Sequence, residues 1–154
     1  MHTVLAAALA GLAATAPMTV WMLGAQRLLP ARERYPLPPE RITEHAAEAV
    51  GLEAVAHRPP VRRAASLINH FAYGALAGAL YAPLSRLPGP ALLRGLGYGT
   101  VVWSASYLGL LPTLGLLSPA TRHPPRRNAL MIVAHFVWGS ALALLTERWS
   151  SARR

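Results

Sequence analysis

The chain has 154 residues, one domain's worth, of which 53% are apolar and only 14% are charged, whereas a soluble domain carries about 25% charged residues. Its net charge of +9 comes from 15 arginines against 6 glutamates, with neither lysine nor aspartate. The arginines flank hydrophobic runs and do not form one basic face, which argues against a nucleic-acid-binding module. Cysteine is absent, which excludes disulfide scaffolds, thiolate metal sites and iron–sulfur ligation.

Every Arg and Glu lies outside four stretches, residues 3–26, 64–85, 95–121 and 128–146. A bilayer core needs roughly 20 apolar residues per helix. The expected fold is therefore all-α: a polytopic membrane four-helix bundle forming one integral membrane domain over residues 1–154. Its spans are expected at about 3–26, 65–84, 92–111 and 128–146, with a polar loop at 27–63.

Span one holds Ala14-Thr15-Ala16, a small-residue pattern like a signal-peptidase site. No basic residue precedes the apolar run and Pro17 would open the mature chain, so an uncleaved span is expected. Pro17 frees a backbone carbonyl, which Thr15 and Thr19 are placed to satisfy. In the polar loop, Pro36-Leu37-Pro38-Pro39 leads into a helix from about Glu40 to Val50. Its weak apolar stripe, Ile42, Ala46, Ala49 and Val50, opposes Glu40, Glu44 and Glu48, as in a short amphipathic helix lying on the membrane surface. His45 and Glu48 are expected on its solvated face. Pro83, Pro88 and Pro90 delimit a hairpin to span three, which contains Gly95, Gly97 and Gly99. The chain stays apolar past Pro112 as far as Leu117, too far for one straight helix, so a break or re-entrant turn is expected at Pro112. Span four ends at Glu147-Arg148-Trp149, an expected interfacial anchor. Loops one and three hold 7 and 3 Arg, against 0, 2 and 3 in the N-tail, hairpin and C-tail; the positive-inside tendency places both termini outside.

His70-Phe71-Ala72-Tyr73-Gly74 in span two and His135-Phe136-Val137-Trp138-Gly139 in span four share one order, and each is followed by a small residue, Gly78 or Ala143. Gly11-Leu12 and Gly95-Leu96 echo each other in spans one and three. The chain reads as two parallel helix-pair repeats about an axis normal to the membrane. Spacings of four put His70, Gly74 and Gly78 on one helix face, and His135, Gly139 and Ala143 on the matching face; small residues at that period let helix backbones approach closely.

His70 and His135 are the intramembrane titratable groups, expected at similar depth. Three readings stand: neutral imidazoles that fix helix packing by hydrogen bonds, a proton- or solute-handling cavity, or a bis-His haem site. Trp21, Trp103 and Trp138 are expected to serve packing or interfacial placement more than ligand lining. Arg122, Arg126 and Arg127 are expected at anionic headgroups. No phosphate loop, Ser-His-Asp order or His-Glu-x-x-His motif occurs, and no carboxylate lies in the four runs. No enzyme activity, catalytic residue or metal site is therefore expected.

Ala10-Gly11-Leu12-Ala13-Ala14-Thr15-Ala16-Pro17-Met18-Thr19, Pro36-Leu37-Pro38-Pro39 and the two His-Phe-x-aromatic-Gly segments together resemble small bacterial inner-membrane proteins of unknown function, including the YagU-like family. The resemblance implies a multi-pass inner-membrane protein without assigned chemistry. The ligand or packing site expected from the residues is His70, Tyr73, Gly74, Gly78, His135, Trp138 and Gly139, taking a small solute or lipid without a cofactor. Haem is the alternative, as is a structural subunit whose Gly face meets a second copy or another membrane protein. The partner expected throughout is the lipid bilayer.

Overall fold

A computed structural model describes residues 3–52 and 58–151, and every regular element among them is helical. Arg153 and Arg154, which entered the charge comparison above, and residues 53–57 of the polar loop lie outside the described residues. Five helices follow in order: α1 Thr3–Gln26, α2 Pro38–Ala49, α3 Pro59–Tyr81, α4 Ala91–Ser104 and α5 Pro125–Ser151. Of these, α1 and α5 are long and apolar enough to cross a membrane. The average hydropathy of α3 is diluted by Asn69, His70, Tyr73 and Tyr81, and α4 is regular for 14 residues before its hydrogen bonding changes.

That change corrects the expected break at Pro112. A π-helical segment, Ala105–Leu110, carries α4 onward into a last turn at Leu111–Thr113. Proline lacks an N–H and crowds the carbonyl four residues back; the wider π turn just before Pro112 accommodates both effects and the rod continues. The chain reverses instead at Gly115, whose φ is 70°. There Leu116 N–H donates to Leu111 O and Gly115 N–H to Pro112 O, at 3.0 and 3.1 Å. That is a Schellman cap, which needs a left-handed residue and so favours glycine. Gly51 ends α2 in the same way.

Glycine contacts govern the packing. α1 lies against α3 and α5, α4 lies against α5, and α2 docks on α3. A Cβ built on Gly11 would collide with the Gly74 carbonyl and sit 2.7 Å from Gly78 Cα. One built on Gly95 would collide with the Gly139 carbonyl and sit 2.8 Å from Ala143 Cβ. Backbones this close leave no room for a side chain, and that closeness is what lets dispersion hold apolar helices together. Pro17 sits inside α1 without ending it. Thr15 and Thr19 donate to the carbonyls of Gly11 and Thr15, at 2.9 and 2.7 Å, and not to that of Ala13, which Pro17 leaves without its donor.

Loops one and three meet at one end of the molecule. Arg127, expected at headgroups, is instead buried: its guanidinium lies 3.5 Å from the Tyr35 ring centroid and donates to the carbonyls of Glu33, Tyr35 and Pro36. Tyr35 O–H donates to His123 Nδ1 at 2.7 Å, because His123 Nε2–H is committed to Ser118 O. At the opposite end Arg94 ties the hairpin to α5. It donates to Leu87 O and Gly89 O and pairs with Glu147 at 3.4 Å. Trp149, expected at the interface, is half-buried against the core.

The second helix differs most from expectation. Its buried residues are Pro38, Thr43 and Ala47, while Ala49 and Val50 are exposed. Glu40 and Glu44 do not face solvent freely; both pair with Arg62 of α3, at 3.0 and 3.6 Å. His45 donates from Nδ1 to Leu116 O at 3.0 Å, so it joins loop three instead of a solvated face. α2 is a docked flap across the helix ends, with Ile42 turned inward.

Candidate ligand cavity

All five helices surround a cavity of about 240 Å³ at the end where α2 docks. Thr15, Met18 and Met22 line it from α1, Asn69, His70, Tyr73 and Gly74 from α3, and Met131, His135 and Trp138 from α5. Val102, Ser106, Tyr107 and Leu111 contribute from α4 and its continuation, and Pro38, Pro39, Ile42 and Thr43 of α2 close it. The walls are largely hydrocarbon, with few polar groups converging inside, as is typical of small-molecule sites.

Those polar groups are held in different ways. Tyr73 Oη and Ser106 Oγ are 2.8 Å apart, joining α3 to the π-helical segment. Asn69 Nδ2 donates to Thr43 Oγ1 at 3.2 Å, and Thr43 donates to Pro39 O. The first of these ties α2 to α3 over the opening, whereas the second lies within α2. His135 Nδ1 lies 2.8 Å from Met131 O; a carbonyl only accepts, so the proton is on Nδ1 and Nε2 keeps its lone pair. Its ring meets the Tyr107 ring edge-on at 5.7 Å. His70 Nε2 is buried and has no hydrogen-bond partner among the described residues. Such an atom costs about 1–3 kcal/mol unless something bonds to it.

Trp138 is buried and both lines the cavity and ties the helices together. Its Nε1–H donates to Gly11 O at 3.1 Å, across from α5 to α1. Its ring packs on Tyr98, which packs on Tyr81, with centroids at 6.0 and 5.2 Å. Tyr98 O–H donates to Ala77 O, linking α4 to α3. Trp21 donates to Leu130 O from a partly exposed position, and half-buried Trp103 stacks on Tyr107.

The sequence profile of a family of unknown function, DUF6789, matches residues 1–154. The chain belongs to DUF6789. No curated protein and no solved structure matches it. DUF6789 is uncharacterised, as the resemblance implied, and the match does not extend to the YagU-like assignment.

Of the site residues expected from sequence, His70, Tyr73, Gly74, His135 and Trp138 line the cavity of this DUF6789 protein. Gly78 and Gly139 do not; they lie one turn further on, in the contacts with Gly11 and Gly95. Sequence reasoning missed the contribution of α2, together with Asn69, Ser106 and Tyr107. A signal for Asn69 was present, since it is a polar residue beside His70 within an uncharged run. Ser106 and Tyr107 line the site from within the π-helical segment Ala105–Leu110, which residue spacing does not reveal.

Proposed function

We propose that this DUF6789 protein is a non-enzymatic, multi-pass protein of the bacterial inner membrane that holds a small solute or lipid in the cavity around His70 and His135. In this reading α1, α3, α4 and α5 all span the bilayer, as two parallel helix-pair repeats, with both termini outside. The matched contacts of Gly11 with Gly74 and Gly78, and of Gly95 with Gly139 and Ala143, support the repeat. So do the ends of the molecule, where loops one and three share one side and the hairpin shares the other with the end of α5. Outward-facing side chains such as Leu5 and Leu9 on α1, Ile68 and Leu80 on α3 and Leu93 and Val101 on α4 leave apolar surface suited to lipid.

The observation that carries the reading is the apolar space itself, which is partly open at its surface. Helix interiors are normally packed as densely as organic crystals, yet here a cavity of about 240 Å³ persists around an unpaired His70 Nε2. The volume lies a little below the range of about 300–1,000 Å³ typical of ligand sites, which suits a small solute or a length of single chain and not a porphyrin. Native mass spectrometry of protein purified in mild detergent tests the reading. A discrete bound species in the wild type that is lost in Val102→Phe, whose larger ring fills the space, is the expected result. Equal occupancy in both proteins, with unchanged thermal unfolding, would contradict it.

A further inference from the structure

A second, more polar chamber of about 450 Å³ adjoins the first at the end formed by loops one and three. Pro38, Tyr107 and Met131 face both chambers, so only this partition separates them. Arg41, Arg122 and Arg127 line the second chamber, and among the described residues no Asp or Glu does. Among the described residues the buried carboxylate is that of Glu33, which gives Arg127 its backbone carbonyl; its Oε1 lies 4.0 Å from Arg32, and its Oε2 is buried without a hydrogen-bond partner among the described residues. The guanidinium of Arg127 is already engaged by three carbonyls and the Tyr35 ring. Arg41 and Arg122 are exposed, and although their backbone N–H groups bond to Leu37 O and Pro119 O, their guanidinium groups have neither an ion pair nor a hydrogen bond among the described residues. His45 and His123 each spend a ring N–H on a loop-three carbonyl, so the arginines are the cations that remain.

A cationic chamber separated from a hydrocarbon-lined one by only three shared side chains matches a molecule that is anionic at one end and apolar along its length. Resting on the cavity reading above, we propose that the second chamber of this DUF6789 protein binds the oxyanion headgroup of a single-chain amphiphile, with the chain lying past Tyr107 in the apolar cavity. Arg41 and Arg122 supply charge-assisted hydrogen bonds to the headgroup, and Arg127 fixes the loops that carry them. The chain passes between Met131 and Pro38 toward His70 and Trp138. A long-chain carboxylate has this chemistry, and a single-chain phosphate monoester shares it.

The test uses the full-length chain in nanodiscs of zwitterionic lipid, with Trp21, Trp103 and Trp149 changed to Phe so that Trp138 alone reports. The probe is a long-chain carboxylate brominated toward its methyl end, whose bromine quenches a tryptophan in contact with it. Expected is saturable quenching that an unbrominated carboxylate or phosphate monoester of the same length reverses. The brominated primary alcohol of equal length should bind about tenfold more weakly. Arg41→Gln with Arg122→Gln, both exposed positions, should weaken the carboxylate about tenfold and leave the alcohol unchanged. If carboxylate and alcohol bind equally and the double variant changes neither, the headgroup site is overturned while the apolar cavity survives. Reversal of quenching by inorganic phosphate as readily as by the long-chain phosphate monoester would also overturn it, by showing a site for a free anion. Absence of saturable quenching by either probe would overturn both this inference and the cavity reading.

Discussion

Three glycines on one helix provide an internal control for the packing. Gly95, Gly97 and Gly99 are two residues apart on α4, so changing each to Ala makes the same chemical alteration in the same element. A Cβ at Gly95 collides with the Gly139 carbonyl and lies 2.8 Å from Ala143 Cβ; one at Gly99 collides with the His135 carbonyl and lies 3.1 Å from the carbon of that group. Ordinary carbon contacts are about 3.5–4.0 Å, so α4 and α5 would have to separate by about an ångström to relieve the carbonyl collisions, and backbone atoms cannot rotate aside. Overpacking of this kind costs about 1–3 kcal/mol. A Cβ at Gly97 meets nothing within 4 Å, and replacing a helical glycine with alanine gains up to about 1 kcal/mol. The series should therefore change sign and return. Denaturation of the reconstituted protein by SDS, followed by tryptophan fluorescence, measures it. Equal effects at all three positions, or a loss at Gly97 as large as at Gly95, would refute the glycine-contact argument.

The other expectations concern single links. Trp138→Phe removes the donor to Gly11 O, which still accepts from Thr15; the cost in the same unfolding assay should be about 1 kcal/mol and not the larger penalty of an orphaned carbonyl. Glu40→Gln with Glu44→Gln cuts both carboxylates away from Arg62. Hydrogen exchange should rise in α2 alone, by the amount expected for up to about 1 kcal/mol, and a matching rise in α1 would contradict the picture of a separately docked flap. Arg127→Gln should destabilise by about 2–4 kcal/mol because it breaks the joint between loops one and three. Arg126→Gln, at an exposed position, should stay within about 0.5 kcal/mol, and comparable losses in the two unfolding curves would remove Arg127 from that role.

Uncharged length was a usable guide to where the long helices fall because apolar content acts on each residue separately. The first helix falls at 3–26 as expected, and α3 and α5 begin earlier than expected, at Pro59 and Pro125, because arginines extend their first turns toward the polar end. The glycine faces were legible for a similar reason, since close helix contact requires small residues at a fixed period. The fate of α2 was not. Its stripe is weak, and what seats it is the pairing of Glu40 and Glu44 with Arg62 and the Asn69–Thr43 bond, all contacts between segments distant in sequence. Arg127 misled for the opposite reason: an arginine beside a span ordinarily reaches water or headgroups, and only the folded loop one brings three carbonyls and Tyr35 to it. Span three was expected to run to about residue 111 and the helical rod does so; what composition does not encode is the π-helical hydrogen bonding over Ala105–Leu110.

Whether α3 and α4 cross the bilayer along with α1 and α5 decides most of the account, and the absence of cysteine allows a clean measurement. Single cysteines at Leu87 in the α3–α4 hairpin and at Ser118 between α4 and α5, both exposed, are to be labelled in intact cells with a membrane-impermeant maleimide. Four spans with the termini outside require Leu87→Cys to react in intact cells and Ser118→Cys to react only after permeabilisation. Labelling of both from the same side would mean that only α1 and α5 cross, and the four-span arrangement would be wrong.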